Sequence, residues 1–226
     1  MTLEAVVFDF DGLIIDSEWV IYETACAAFA AHGHELPVQA WSTIVGTNDK
    51  HDPHWWTRLC GAVGIAGFER ADYDAAYEAQ DRSNRDELPA LPGVLELVAA
   101  LESADVPIGI ASSSSLDWLQ RHLGRLGLEA RFGALVGADL VGGVGKPAPD
   151  VYLRACAELG ADPTRSVAIE DSGHGATAAK AAGMAVVVVP SRITRFNDLA
   201  HADLVVDSLT DVGVPDLAAL ANRPRR

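Results

Sequence analysis

Two aspartates stand two positions apart at the end of an apolar segment, and this spacing makes them the first candidates for chemistry. Residues 5–12 form a β-type run that ends in Asp9 and Asp11. Because side chains alternate between the two faces of a strand, both carboxylates leave the strand end on the same side. Two such groups repel each other unless a shared proton or a cation compensates, and Mg²⁺ prefers oxygen ligands. The pair indicates an acid/base or metal site, and an Asp-Gly turn is the alternative.

Polar side chains also follow three later segments. A β-type segment runs into four serines, 112–115, at a predicted helix start, where the hydroxyls of Ser112 and Ser113 and free N–H groups either bind a phosphate or cap the helix. A glycine-rich loop then delivers Lys146 ahead of another helix, and a buried-type strand ends in Glu170 and Asp171, which a turn would also explain. Ligands of open α/β sheets bind at the carboxyl ends of the strands, so we expect these groups to meet.

Apolar β-type segments alternate with helical patterns along the chain. This alternation predicts an α/β fold with a Rossmann-like parallel sheet wrapped by helices. The predicted strands lie at 4–10, 106–111, 134–137, 166–170, 185–189 and 203–206.

The interval between the first two predicted strands is too long for a simple crossover. Residues 17–88 read as successive helices, so we expect an all-helical cap over 17–88 inserted into a catalytic core made of 1–16 and 89–226. We expect the cap to move as a lid with hinges near 12–16 and 88–92. Its predicted helices are 17–31, 38–45, 53–63 and 68–87.

Composition excludes some classes of partner. The 226 residues carry 17 basic and 32 acidic side chains, a net charge of −15 that disfavours nucleic acid. No basic segment precedes the first apolar run, and no stretch approaches membrane-spanning length. We therefore expect a cytoplasmic protein that binds a small molecule and neither nucleic acid nor membrane. Its expected state is a monomer or weak homodimer.

These motifs, in this order, resemble the haloacid dehalogenase (HAD)-like hydrolase superfamily, in its phosphatase and β-phosphoglucomutase-like branch with a helical cap after the first strand. The resemblance implies phosphoryl transfer with Asp9 as the nucleophile and Asp11 as the general acid/base. Members that dehalogenate or cleave phosphonates lack the second aspartate, so Asp11 favours phosphate esters. The chemistry agrees, because a carboxylate nucleophile forms an acyl phosphate and a second carboxyl moves the protons.

The resemblance also implies the binding groups. Ser112 and Lys146 would bind the phosphate, and Mg²⁺ would be the cofactor. Its ligands would be Asp9, Asp171 and the backbone carbonyl of Asp11, with Glu170 as a further carboxylate on the metal side.

The charge of the cap distinguishes between the two activities of this branch, phosphatase and sugar-phosphate mutase. Residues 17–88 contain five basic and twelve acidic residues, whereas a sugar-phosphate mutase needs clustered cations for a second phosphate. We therefore predict a phosphatase for a small sugar or polyol monophosphate that works through an aspartyl phosphate. A β-phosphoglucomutase-type mutase is the alternative, and a non-catalytic protein that binds a phosphorylated metabolite is an alternative of another class.

Four of the five tryptophans fall in the predicted cap. They are Trp19, Trp41, Trp55 and Trp56. We expect most of them to pack in the cap core, with one or two as candidates for a flat surface that lines the site.

Overall fold

A six-stranded parallel sheet forms the centre of the fold in the computed structural model, which describes residues 3–45, 53–80 and 87–223. Each predicted apolar segment contains one strand, so the predicted α/β fold is confirmed. The strands are β1 (Val6–Phe8), β2 (Ile108–Ala111), β3 (Ala134–Val136), β4 (Val167–Glu170), β5 (Ala185–Val188) and β6 (Leu204–Val205).

The strand order places three strand ends side by side. The order is β3-β2-β1-β4-β5-β6, so the chain winds outward in both directions from β1. Val6 pairs with Ile108 of β2 on one side and with Val167 of β4 on the other. The crevice at such a reversal point is where doubly wound sheets bind ligands.

Helices cover both faces of the sheet and bury β1 completely. Val6 and Phe8 belong to the apolar cluster on one face, and Val7 belongs to the cluster on the other. Burial on both faces explains why the strands read as continuous apolar runs. The helices are α5 (Val94–Ser103), α6 (Leu116–Leu126) and α9 (Val214–Ala221) on the first face, and α7 (Asp150–Leu159) and α8 (Gly173–Ala181) on the second.

Four further helices lie between β1 and α5, and they share an apolar cluster of their own. Phe29 is fully buried there, and its ring makes edge contacts with Phe68, Tyr73 and Trp56 at centroid distances of 5.3, 5.7 and 5.9 Å. The four helices are α1 (Ser17–Ala31), α2 (Val38–Trp41), α3 (Trp55–Val63) and α4 (Arg70–Glu78).

No helix in the described ranges combines the length and apolarity of a membrane span.

Three of these helices are shorter than predicted. The helix predicted at 38–45 ends at Trp41, where the hydroxyls of Ser42 and Thr43 donate to the carbonyls of Gln39 and Ala40 at 2.8 Å and favour a turn. The helix predicted at 53–63 begins at Trp55. Of the segment 68–87, residues 70–78 are helical and 81–86 lie outside the described residues.

The two segments that join these helices to the sheet domain pair with each other. Ile15 forms an antiparallel bridge with Ala90, and the N–H of Leu91 donates to the carbonyl of Ile14 at 2.8 Å. Arg192, in the loop after β5, donates to Asp16 at 2.6 Å. The predicted hinge segments are therefore in contact, whereas the domain boundaries and the lid motion stay predictions.

Gly12 lies where the chain leaves β1, and only a glycine fits there. Its φ is +83°, and a Cβ at this position would lie 2.4 Å from Oδ2 of Asp171. The absence of a side chain thus allows the first loop to approach the end of β4.

We expect Gly12→Ala to lower the free energy of unfolding more than Gly33→Ala does. Both glycines have positive φ, +83° and +76°, so each substitution costs about 1–2 kcal/mol of backbone strain. Only the Cβ at position 12 meets another side chain, since nothing lies within 4 Å at Gly33. Urea unfolding measures both variants, and equal losses would contradict the close approach to Asp171.

Candidate active site

The carboxyl ends of β1, β2 and β4 open into a cavity of about 120 Å³. Every predicted site residue except Glu170 lines it, so the structure brings the four motifs together. The described lining residues are Asp9, Asp11, Glu18, Val45, Ser112, Ser113, Ser114, Lys146, Asp171 and Ser172.

Lys146 bridges two carboxylates at the base of this cavity. Its Nζ donates to Oδ1 of Asp9 and to Oε1 of Glu170, both at 2.6 Å, and its side chain is only 2% exposed. Its backbone N–H donates to the Ser113 hydroxyl at 3.1 Å, which fixes the loop that carries it. Burial alone would lower the pKa of Lys146, but the two carboxylates outweigh it and raise that pKa.

Glu170 lies beneath the cavity, fully buried, with protein donors on both oxygens. Oε1 accepts from Lys146 and from the hydroxyl of Tyr152, while Oε2 accepts from the N–H of Asp171 and from the N–H and hydroxyl of Ser172 at 3.2–3.3 Å. A Cβ on Gly175 would lie 2.0 Å from Oε2, so a glycine in the first turn of α8 makes room for the carboxylate. These contacts make Glu170 a support for Lys146.

Asp9, Glu170 and Asp171 form a buried acidic cluster, with carboxylate oxygens within 4.8 Å of one another. Burial, with the charge of Glu170, raises the pKa of Asp9 to about 7, although Lys146 opposes this. Burial, Asp9 and Glu170 raise the pKa of Asp171 well above its usual value. One lysine cannot neutralise three carboxylates, and buried oxygen donors with excess negative charge suit a hard divalent cation. The residues therefore fit Mg²⁺.

The Asp11 carboxylate lies outside this cluster and is held by four other side chains. Its Oδ1 accepts from the Ser17 hydroxyl at 2.6 Å and from the Trp118 indole at 2.9 Å, and its Oδ2 accepts from the hydroxyls of Ser114 at 2.7 Å and Ser112 at 3.5 Å. The predicted metal contact through the backbone carbonyl of Asp11 stays a prediction.

The four serines were predicted either to bind a phosphate or to cap the helix, and the structure shows that they differ in what they contact. Ser115 caps α6, because its hydroxyl accepts from the Trp118 N–H at 3.4 Å. The hydroxyl of Ser112 accepts from the N–H of Ser114 at 3.0 Å and faces Asp11. Capping thus explains Ser115, whereas phosphate binding by Ser112 and Ser113 stays a prediction.

Two residues from the helical insert reach the cavity wall. Glu18 lies in the first turn of α1, and Val45 closes the turn after α2. The Val45 carbonyl lies 3.1 Å from Nδ1 of His174, and Asn197 donates to the carbonyl of Ser42 at 3.0 Å. These contacts hold the turn over the strand ends.

Three tryptophans of the insert pack within it, and the fourth, Trp19, also contacts the loop after β5. Trp41 is buried, and Trp55 and Trp56 pack against the Phe29 cluster. Trp19 lies under the guanidinium of Arg192, 3.9 Å from the ring centroid. None of the four is among the described residues that line the cavity, so packing explains them and the idea of a tryptophan-lined site is not supported.

Sequence reasoning missed several side chains that contact the site, and three of them come from helices and loops outside the predicted motifs. Trp118 donates to Asp11, Tyr152 donates to Glu170, and the Thr194 hydroxyl donates to Asp171 at 3.3 Å. Trp118 and Tyr152 each lie six positions after a predicted site residue, but only the helix orientation shows that they turn back toward it. Thr194 comes from the loop after β5, where no sequence signal points to the site.

Comparison with known proteins decides the family. A family model described as haloacid dehalogenase-like hydrolase matches residues 3–183. The chain belongs to this family. The predicted recognition of a HAD-like hydrolase is confirmed, and the chain is an enzyme of the phosphatase and β-phosphoglucomutase-like branch.

Relatives and solved structures match nearly the whole chain. Hexitol phosphatase B of Escherichia coli strain K12 is 35% identical, covering 94% of this chain and 96% of the relative. Validoxylamine A 7'-phosphate phosphatase of Streptomyces hygroscopicus subsp. limoneus is 30% identical, covering 95% and 98%. The crystal structure of CbbY from Rhodobacter sphaeroides with xylulose-(1,5)bisphosphate has a TM-score of 0.71 and 27% identity, covering 96% and 99%.

We expect Lys146→Met to destabilise the protein by about 3–5 kcal/mol, because it leaves Asp9 and Glu170 buried without their cation. Lys180→Met is the matched control, since Lys180 pairs with Asp203 at 2.8 Å near the surface and its loss should cost less than about 1 kcal/mol. Urea unfolding in the presence of chelator compares them. A Lys146 variant as stable as the control would contradict the buried bridge.

Proposed function

We propose that this HAD-like enzyme is a Mg²⁺-dependent phosphatase that hydrolyses a small sugar or polyol monophosphate through an aspartyl-phosphate intermediate. The observation that carries the proposal is the pairing of two differently held carboxylates at one cavity. Asp9 is bonded to a buried lysine, and Asp11 is bonded to hydroxyl and indole donors. Two carboxylates with different partners at one cavity can divide the roles of nucleophile and general acid/base, and the bond to Lys146 favours the ionised form that the nucleophile Asp9 needs.

Each carboxylate has one role in each half of the reaction. In the first half, an oxygen of Asp9 attacks phosphorus, the bond to the ester oxygen breaks with its electron pair, and that oxygen takes a proton from Asp11. In the second half, water attacks phosphorus and gives its proton to Asp11. The bond between phosphorus and Asp9 then breaks and restores the Asp9 carboxylate.

The remaining groups bind and orient the phosphoryl group. Ser112, Ser113 and Lys146 would donate to its oxygens, and Glu170 would keep Lys146 in position from below. Asp9, Asp171 and the Asp11 carbonyl would hold Mg²⁺, which when bound supplies positive charge beside the transferred phosphoryl group.

The charges of the cavity favour a monophosphate. Lys146 is the only cation among the described lining residues, and Glu18 adds a negative charge to the wall contributed by the insert. A second phosphate would find no cation among the described residues of this wall, whereas hydroxyl groups could donate to the Glu18 carboxylate. The cap cations Lys50, Arg82 and Arg85 lie outside the described residues. Two relatives named above act on a hexitol phosphate and on validoxylamine A 7'-phosphate, as their names state.

We expect the purified protein to release inorganic phosphate from sugar and polyol monophosphates with Mg²⁺ present, and to lose this activity with chelator. Asp9→Asn should abolish turnover, because the amide is not a nucleophile. Asp11→Asn should slow it and leave phosphate on the peptide that contains Asp9, which acid quench and mass spectrometry detect. Asp105→Asn, an exposed turn residue, is the control and should match the wild type.

Three outcomes would contradict parts of the proposal. Full activity in Asp9→Asn would exclude Asp9 as nucleophile, and activity unchanged by chelator would exclude the metal. Conversion of β-glucose 1-phosphate to glucose 6-phosphate, dependent on a bisphosphate primer and without phosphate release, would favour the mutase.

A further inference from the structure

We propose that Trp118 is a positioning residue for Asp11, because its indole N–H fixes one carboxylate oxygen so that the other faces the reacting ester. The inference rests on the proposed function, in which Asp11 moves the protons. Its basis is the 2.9 Å hydrogen bond from Nε1 of Trp118 to Oδ1 of Asp11.

The donors of Asp11 are distributed unevenly between its two oxygens. Oδ1 accepts two short bonds, from Ser17 at 2.6 Å and from Trp118 at 2.9 Å. Oδ2 accepts one short bond from Ser114 at 2.7 Å and one long bond from Ser112 at 3.5 Å. A carboxylate has about four lone-pair directions, so a substrate oxygen must replace a donor. The weakest is Ser112, which also lines the cavity, so Oδ2 is the oxygen that exchanges protons.

Trp118 differs from the other donors in stiffness and in the part of the chain that carries it. A serine hydroxyl rotates to suit its neighbour, whereas an indole N–H points in the direction set by the ring. The Trp118 ring packs against His122 in a tilted contact with the centroids 4.1 Å apart, and the buried His122 ring lies 6.3 Å from that of Phe10. Trp118 is anchored in α6 on the sheet, whereas Ser17 belongs to the insert. Its hold on Asp11 is therefore independent of the insert.

A misplaced Asp11 should affect substrates unequally. An alkyl ester releases an alkoxide, which needs a proton as the bond breaks, whereas p-nitrophenyl phosphate releases a stable anion that needs none. The value of kcat/KM covers the steps up to the first product, the alcohol or phenol. The value of kcat/KM for the alkyl ester divided by that for p-nitrophenyl phosphate therefore reports the acid function of Asp11. We call this quotient the ratio.

The test is Trp118→Phe, which keeps an aromatic ring against His122 and removes the N–H. We expect kcat/KM to fall about tenfold or more for the preferred polyol monophosphate, as the loss of a hydrogen bond to a charged group implies, and to stay unchanged for p-nitrophenyl phosphate. Trp41→Phe, a buried change in the insert, should not alter the ratio. Trp118→His, which retains a ring N–H, should recover part of the loss.

The Asp11→Asn background separates this inference from the proposed function. We expect Asp11→Asn to lower the ratio by itself and Trp118→Phe to lower it no further in that background. An equal loss on both substrates in Trp118→Phe, or a full additional loss on top of Asp11→Asn, would overturn the positioning role while leaving Asp11 as the acid. An unchanged ratio in Asp11→Asn would instead refute the acid assignment, and the role of Trp118 with it.

Discussion

Three carboxylates buried around one lysine are the constraint on which the rest of this structure depends. Asp9, Glu170 and Asp171 would repel one another in a medium of low polarity, and Lys146 alone compensates only part of their charge. The surrounding features make this arrangement possible. Protein donors satisfy Glu170, and Gly12 lets the first loop approach Asp171. The residual negative charge makes the site suitable for the divalent cation that we propose.

The parallel sheet brings these groups together although they come from separate parts of the sequence. Because β1 lies between β2 and β4, the ends of all three strands point into one crevice. The nucleophile candidate comes from β1, the serines follow β2, and the lower carboxylates end β4. Only Lys146 needs a dedicated loop, and the Ser113 hydroxyl fixes it. The strand order thus brings the charged groups to one edge of the sheet. Loops from other parts of the chain complete the site there.

Much of this arrangement could be predicted because its physical causes are local. Buried parallel strands appear as apolar runs, and polar groups at their ends stand out. Contacts that depend on helix orientation could not be predicted, as with Trp118 and Tyr152. Helix ends in the insert were also missed, because side-chain bonds to the backbone, such as that of Ser42, stop α2 within an apolar pattern. The pattern likewise could not show whether Trp55 packs inside or faces the site.

The most direct test of the charge imbalance is the thermal unfolding of wild type and Asp171→Asn, with chelator and with Mg²⁺, at mildly alkaline pH. With chelator, we expect the variant to unfold at a higher temperature than the wild type, because one repelling buried charge is gone. With Mg²⁺, we expect the order to reverse, because only the wild type keeps the full set of ligands and gains stability from binding. A variant that is less stable than the wild type in chelator, with the same response to Mg²⁺ in both proteins, would contradict the charge imbalance.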